Sequence, residues 1–321
     1  MARSTDPVEL LAAARTGDRA ALARLLSLVE RGGEPARAIG RLAHPLGGGA
    51  YTIGITGAPG AGKSTLTSAL VGEVRRAGDE VAVLAIDPSS PFTGGAILGD
   101  RVRMGDHALD DGVYIRSMAT RGHLGGLSLA TPQAVRVLDA AGKPWVIIET
   151  VGVGQVEVEI VGSADTTVVV VNPGWGDAVQ ANKAGLMEIA DIFVINKADR
   201  DGARQTRHDL EAMLYLTAPG GGSDGWTPPV VSTVASEGQG ADELWAEVQR
   251  HRAHLVGSGT LERRRTERLS DELHRILTAR VLEQVTARTG GDRFGALRAQ
   301  VIDREIDPWT AADALLGDGR S

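Results

Sequence analysis

The residues Gly57-Ala58-Pro59-Gly60-Ala61-Gly62-Lys63-Ser64, with Thr65 after them, fit the pattern G-x-x-x-x-G-K-[ST]. The chemistry of that pattern is phosphate binding. Glycines at this spacing let backbone N–H groups turn inward around phosphate oxygens, and a helix beginning at the loop adds the partial positive charge of its N-terminus. Lys63 is then placed to reach β- and γ-phosphates, and the Ser64 hydroxyl to hold Mg²⁺. A second group reads a base. Asn196-Lys197-Ala198-Asp199 follows an apolar run. The Asp199 carboxylate can accept from both N1–H and the 2-amino group of guanine. Adenine offers no such donor pair and would leave that carboxylate unpaired. In Thr233-Val234-Ala235-Ser236, after the next apolar run, Val234 and Ala235 can close the base pocket with backbone N–H groups. The expected ligand is GTP, with Mg²⁺ as cofactor.

Acids at the same expected sheet edge complete the set. Glu149-Thr150-Val151-Gly152 ends the run WVIIE, so Glu149 can hold Mg²⁺ through water and the Gly152 N–H can touch a γ-phosphate. Asp87 follows VAVLAI as a second acid. The glycine-containing loop from Phe92 to Arg101 carries Asp100 beside a base, and is expected to order around the γ-phosphate and Mg²⁺. Ras-like enzymes place a water-orienting glutamine directly after the glycine of the Glu149 element. Here that position is Val153, and the nearest glutamine is Gln155. Slow intrinsic hydrolysis, accelerated by a partner, is the expectation. His251 and His254 stand three apart on an expected helix. In a chain without cysteine or a histidine-rich tract they are expected to lie on a solvated face.

The elements that must position these residues are legible as periodicities. β-prone runs occupy Tyr51–Thr56, Glu80–Ile86, Val113–Arg116, Trp145–Glu149, Thr166–Val171, Asp191–Ile195 and Pro229–Val234. Several are apolar throughout, as parallel strands covered on both faces must be. Helical stretches, among them Thr65–Ala77, separate most of them. The expected class is α/β: a doubly wound, mostly parallel sheet forming a P-loop GTPase domain at 49–258, with helical extensions at 1–48 and 259–321. In the first, Asp6-Pro7 reads as a helix start, and Gly17-Asp18 and Gly32-Gly33-Glu34-Pro35 read as breaks. In the last, Leu269, Leu273, Ile276, Leu277, Val281, Leu282 and Val285 form the stripe of a long amphipathic helix. Two uses fit such a stripe: packing on its own domain, or an arm that pairs with a second subunit.

Composition bounds the rest. The chain has 321 residues, 42% of them hydrophobic but only 3% aromatic, so aliphatic side chains must build the core. A net charge of −7 argues against a nucleic-acid partner held by bulk electrostatics. The absence of cysteine excludes disulfides, zinc–thiolate sites and cysteine catalysis. No apolar run approaches the roughly 18 residues of a membrane span, and the N-terminus has no signal-peptide core. A cytoplasmic location is expected.

Five stretches together resemble one family: GAPGAGKST (57–65), AIDPSSPFTGGAILGDRVRM (85–104), ETVGVGQVE (149–157), PGWGDAVQANKAGLMEIAD (173–191) and NKAD (196–199). They are similar to the MeaB/ArgK-like P-loop GTPases, the G-protein chaperones of methylmalonyl-CoA mutase. The resemblance covers residues 50–250 closely. It implies a homodimeric GTPase that binds an adenosylcobalamin-dependent acyl-CoA mutase, gates cofactor loading from the adenosyltransferase and protects the mutase. It implies, further, that Asp100 belongs to a first switch and that Glu149 begins a second, both organising Mg²⁺. The segment Asn172–Lys183 resembles a third switch, with Lys183 at its key basic position. Where members often carry Glu-Leu in that segment, this chain has Ala178-Val179. Two other classes share these motifs, a metal-delivery GTPase and a kinase of a transport system. The first needs a metal-binding tract. The second would transfer phosphate to something other than water.

Overall fold

The computed structural model describes residues 5–88, 105–107, 109–120, 129–150, 164–174, 189–217, 225–289 and 292–316. Seven strands form one sheet: β1 (Tyr51–Gly57), β2 (Val81–Pro88), β3 (Val113–Thr120), β4 (Trp145–Thr150), β5 (Thr166–Val171), β6 (Ile192–Asn196) and β7 (Val230–Thr233). Each expected β-run overlaps one of them, and β3 continues past its run from Arg116 to Thr120. Their order is β3-β2-β4-β1-β5-β6-β7, with every neighbouring pair parallel. All seven C-terminal ends therefore meet at one edge. β1 stands between β4 and β5, where the chain's excursions to the two sides of the sheet diverge, and ligands of open α/β sheets bind there.

The strand residues alternate between two buried layers. Tyr51, Ile53, Ile55, Val81, Val83, Val168 and Val170 pack with α4 (Lys63–Arg76) and α7 (Ala241–Gly257). On the opposite face, Ala82, Leu84, Ile86, Val146 and Ile148 pack against α1 (Pro7–Arg15), α2 (Arg19–Arg31), α3 (Gly33–Ala43) and α5 (Ala130–Ala140). The same face further along, through Val169, Val171, Phe193 and Ile195, is covered by α6 (Ala203–Thr217). With both faces covered, strands such as WVIIET and TTVVVV are buried end to end.

The first helices form as their end signals require. Asp6 caps α1 by accepting from Val8 N–H at 2.9 Å, with Pro7 at the first helical position. Asp18 caps α2 by accepting from Ala20 and Ala21 N–H. The expected break at Gly32-Gly33-Glu34-Pro35 is a corner of one residue. Gly32 turns at φ 76°, and Glu34 and Pro35 already lie in the first turn of α3, where proline's missing N–H has no intrahelical partner to lose. Leu22, Leu25, Leu26, Val29 and Ile39 are buried against the sheet, so these helices are a wall of the core.

At the opposite, N-terminal edge of the sheet, polar groups are buried instead. Asp165, just before β5, accepts from Thr52 N–H at 3.0 Å and from Arg265 Nη2 at 2.7 Å and Nε at 3.1 Å. Asp191, just before β6, accepts from Thr167 N–H at 2.8 Å and Arg264 Nη1 at 3.1 Å. Arg265 also donates to the Gly48 and Ala50 carbonyls, while Asp139 accepts from the N–H groups of those two residues. The linker into β1 is thus gripped from both sides. His251, expected on a solvated face, is 0% exposed. It continues the buried stripe of Leu244, Val248 and Leu255 on α7, and its Nδ1 lies 2.8 Å from Thr166 Oγ1, which in turn lies 2.7 Å from the Tyr51 hydroxyl. Burial pushes the Tyr51 hydroxyl well above its usual pKa.

The chain divides into two compact units, residues 1–265 and Thr266–Ser321. The long helix α8 (Thr260–Thr289) runs through the boundary as one element, and α9 (Asp292–Ile302) and α10 (Pro308–Leu316) follow. Asp307 caps α10, accepting from Trp309 and Thr310 N–H. Along α8, Leu269, Leu273, Leu277, Val281 and Leu282 are exposed. Among the described residues no helix is long and apolar enough to cross a membrane.

Truncating Leu25 to Ala should remove about 2–5 kcal/mol of stability by opening a cavity between α2 and the sheet, read as a lower denaturation midpoint with nucleotide binding retained. The Arg75 guanidinium, bonded to Asp110 at 2.8 Å, and the Gly112 N–H hold the Asp110 carboxyl below its ordinary range. This contribution is present above the unfolded carboxyl's value of about 3.9 and is lost as pH falls through the lower folded value. In Arg75→Gln the Asp110 side-chain resonance should titrate at higher pH than in the parent chain. An unchanged titration would show that Arg75 is not the cause.

Candidate nucleotide-binding site

The loop 57–62 lies at the C-terminal edge, between β1 and α4, and two of its glycines are sterically required. Gly57 sits at φ +136°, and a Cβ there would stand 2.0 Å from the Val170 carbonyl oxygen of β5. Gly62 sits at φ +87°, and a Cβ there would meet the Asn196 amide at 2.3 Å. No side chain caps α4: Gly62 is its N-cap, so the first-turn N–H groups face the loop without a side-chain acceptor. That is the arrangement in which a helix N-terminus receives an anion.

Lys63 is buried, and its ammonium donates to the loop's own carbonyls, Gly57 O at 2.7 Å and Ala58 O at 3.0 Å. These carbonyls keep the side chain curled over the loop, within reach of whatever the loop encloses. Ser64 donates its hydroxyl to Glu149 Oε1. Glu149 is 0% exposed at the end of β4, level with Ile55 of β1 in the sheet register. The sheet therefore delivers the serine of the phosphate loop and the acid of the neighbouring strand to one point. A hydroxyl and a carboxylate side by side are the oxygen donors that a hard cation such as Mg²⁺ takes.

The residues expected to read a base come from the ends of β6 and β7. Asn196 is buried and serves three loops at once. Its amide donates to Ala61 O at 2.8 Å, and its oxygen accepts from Thr233 Oγ1 and from Ala235 N–H, each at 3.1 Å. Lys197 occupies the left-handed region at φ 59° and donates to Gly60 O at 2.6 Å. Ala198 N–H donates to Thr233 O at 3.0 Å, and Asp199 stands exposed on the turn that follows. Val234 N–H pairs with Gln239 O at 3.1 Å, and Ala235 opens a short 3₁₀ turn.

The structure thus brings the loop from Gly57 to Ser64 together with Glu149, Asn196, Lys197 and Ala235, while Asp199 stands on the turn after Lys197 and Val234 precedes Ala235. Asp87 is next to last in β2, one strand beyond β4, and only its backbone is described. Asp100, Gly152 and Lys183 lie outside the described residues. Sequence reasoning missed Asp165, Asp191, Arg264 and Arg265. The available signal was an acid at the head of two β-runs, Asp165 directly before Thr166–Val171 and Asp191 as the first residue of Asp191–Ile195, and an arginine run opening the last long helix.

The chain matches the family model described as methylmalonyl Co-A mutase-associated GTPase MeaB over residues 22–290. It is 52% identical to a putative GTPase of Pyrococcus abyssi, over 96% of this chain and 95% of the relative. It is 38% identical to the GTPase ArgK of Escherichia coli, over 87% and 86% of the two chains. A crystal structure described as LAO/AO transport system kinase superposes with a TM-score of 0.74 at 30% identity, covering 99% of this chain and 98% of that one. Parallel topology, a G-x-x-x-x-G-K-S loop joined to the NKAD turn by Asn196, and a match spanning most of the chain lead to one assignment: the chain belongs to the MeaB family of methylmalonyl-CoA mutase-associated GTPases.

Proposed function

We propose that this MeaB-family GTPase hydrolyses GTP slowly on its own and serves as the G-protein chaperone of an adenosylcobalamin-dependent acyl-CoA mutase, with methylmalonyl-CoA mutase as the first candidate. In this reading it gates loading of the mutase's cofactor, delivered by an adenosyltransferase, and protects the mutase from inactivation. The observation that carries the nucleotide half is the Asn196 junction, which sets an NKAD loop against the phosphate loop. The family description supports the mutase half.

The mechanism follows from the groups in place. Incoming phosphates compete with Gly57 O and Ala58 O for the Lys63 ammonium, which moves onto the β- and γ-phosphates. Loop N–H groups and the α4 N-terminus take the remaining charge, and stabilise it more as it shifts in the transition state. Ser64 and Glu149, with Asp87 and Asp100, would hold Mg²⁺, which would supply positive charge against the phosphate oxygens. Asp199 reads the guanine edge, while the turn through Val234 and Ala235 closes the pocket by its shape, because the two N–H groups expected to do so are committed to Gln239 O and the Asn196 side-chain oxygen. Gly152 donates to the γ-phosphate, and Lys183 carries the state of the third switch to the mutase. Water is the acceptor. With Val153 in the place of a glutamine, its orientation waits on the partner. The exposed stripe Leu269, Leu273, Leu277, Val281 and Leu282 of α8 is the proposed homodimer contact. The proposed compartment is the cytoplasm.

A transport-system kinase is the second reading, favoured by the description of the LAO/AO structure. It differs in requiring a phosphate acceptor other than water.

GTP turnover should be measured for the chain alone and with stoichiometric methylmalonyl-CoA mutase. The expected result is slow release of inorganic phosphate that rises severalfold with the mutase. No rise would remove that mutase as partner, and phosphate recovered on a protein or small molecule would favour the kinase. Lys63→Ala should lower the turnover number by about 100-fold or more, since it deletes a cation that acts mainly on the transition state. Asp199→Asn should weaken GTP binding by about 100-fold or more and improve binding of xanthosine triphosphate, whose 2-oxo group accepts from an amide. Retained GTP affinity in that variant would remove Asp199 from base recognition.

A further inference from the structure

The residues that hold the nucleotide loops and the residues that hold the root of α8 lie at opposite ends of the same strands. β6 ends in Asn196, joined to Ala61 O, and is preceded by Asp191, joined to Arg264. β5 passes Gly57 at Val170 and is preceded by Asp165, joined to Arg265 through both carboxylate oxygens. β1 ends in Gly57. At its start the Ala50 carbonyl accepts from Arg265 at 2.8 Å, and Thr52 N–H donates to the carboxylate that Arg265 grips. Three strands of five to seven residues, about 16–23 Å long, separate one set of contacts from the other.

We propose that Arg264 and Arg265 make the first turns of α8 a reporter of nucleotide state, so that the helix leading into the C-terminal unit is biased by what the phosphate and guanine loops hold. Three observations carry this. First, the strands between the two ends are buried along their lengths and close-packed, so a displacement at the loop end is passed on rather than absorbed locally. Second, the α8 root is held by fork-shaped cations on carboxylates that are themselves fixed by backbone N–H groups, Thr52 on Asp165 and Thr167 on Asp191. The geometry of each pair therefore follows the register of its strand. Third, neighbouring arginines on one helix address two different strands, so a relative shift of β5 and β6 cannot satisfy both grips equally. From this root α8 continues unbroken to Thr289.

The inference rests on the GTPase reading, and the experiment separates the two. Binding of GDP and of a non-hydrolysable GTP analogue to the full-length chain is measured first. If neither binds, the GTPase reading fails and the coupling falls with it. Backbone hydrogen exchange across residues 258–268 is then compared with each nucleotide at saturation. The expected result is a difference in protection of about threefold or more between the two states. In Arg264→Lys/Arg265→Lys, which keeps the charges but loses the forks, that difference should collapse. By thermodynamic reciprocity the ratio of GTP-analogue to GDP affinities should then shift by the same factor. A merely structural role would lower the denaturation midpoint and leave that ratio unmoved. If the double variant does not fold, Arg264→Lys alone is read in the same way. Equal protection in the two states of the parent chain, or an unaltered affinity ratio in a folded variant, would overturn the proposal.

Discussion

A single buried carboxamide joins the parts of the candidate site. Asn196 spends its donor on the phosphate loop at Ala61 and its acceptor on Thr233 and the Ala235 N–H of the loop after β7. A buried amide must have its hydrogen bonds, because each one left unmade costs about 1–3 kcal/mol. Three loops that could each drift are thereby held in one arrangement. Gly62 exists in its left-handed conformation, without a side chain, because the same amide would lie 2.3 Å from a Cβ. The glycine and the asparagine are one constraint seen from two loops.

The parallel sheet gives this constraint its reach. Every strand points its C-terminal end to the nucleotide edge, so the opposite edge collects the strand starts and the polar backbone groups around them. Those groups are satisfied by Asp165 and Asp191, which in turn require Arg265 and Arg264. The arginines are only partly exposed, and α8 carries both of these cations into the edge. His251 extends the network to α7 through Thr166 and Tyr51. One edge carries an α4 N-terminus without a side-chain cap, and the other is closed by charges that the chain supplies itself.

The N-terminal helices show how little a composition boundary says about a core. Residues 5–48 differ in pattern from the α/β region, yet Leu22, Leu25 and Leu26 share one apolar cluster with Leu84, Ile86 and Ile148. Among the described residues, the β2–β4 part of that face is covered by these helices and α5 alone. The stripe of α8 is the reverse case. It has the periodicity of a core helix, and it is exposed along Leu269 to Leu282.

Much of this was legible in the chain, because the signals are local. Seven β-prone runs became seven strands, since a run apolar on both alternating faces has no stable place except inside a covered parallel sheet. Asp6-Pro7 and Asp18 started helices, because a cap is satisfied by residues two and three positions away. The phosphate loop and NKAD declared their chemistry through residue type and spacing. What lies far apart in sequence was not legible. The His251 pair looked like a solvated face, because burial depends on which side of α7 meets β5, more than 80 residues earlier. The grip of Arg265 on Asp165 spans 100 residues, and that of Arg264 on Asp191 spans 73. Which elements form could be read along the chain, since propensity and capping are short-range. Which strand start meets which arginine could not, because the order of strands in a sheet is set by packing its two faces and leaves no local mark on the chain.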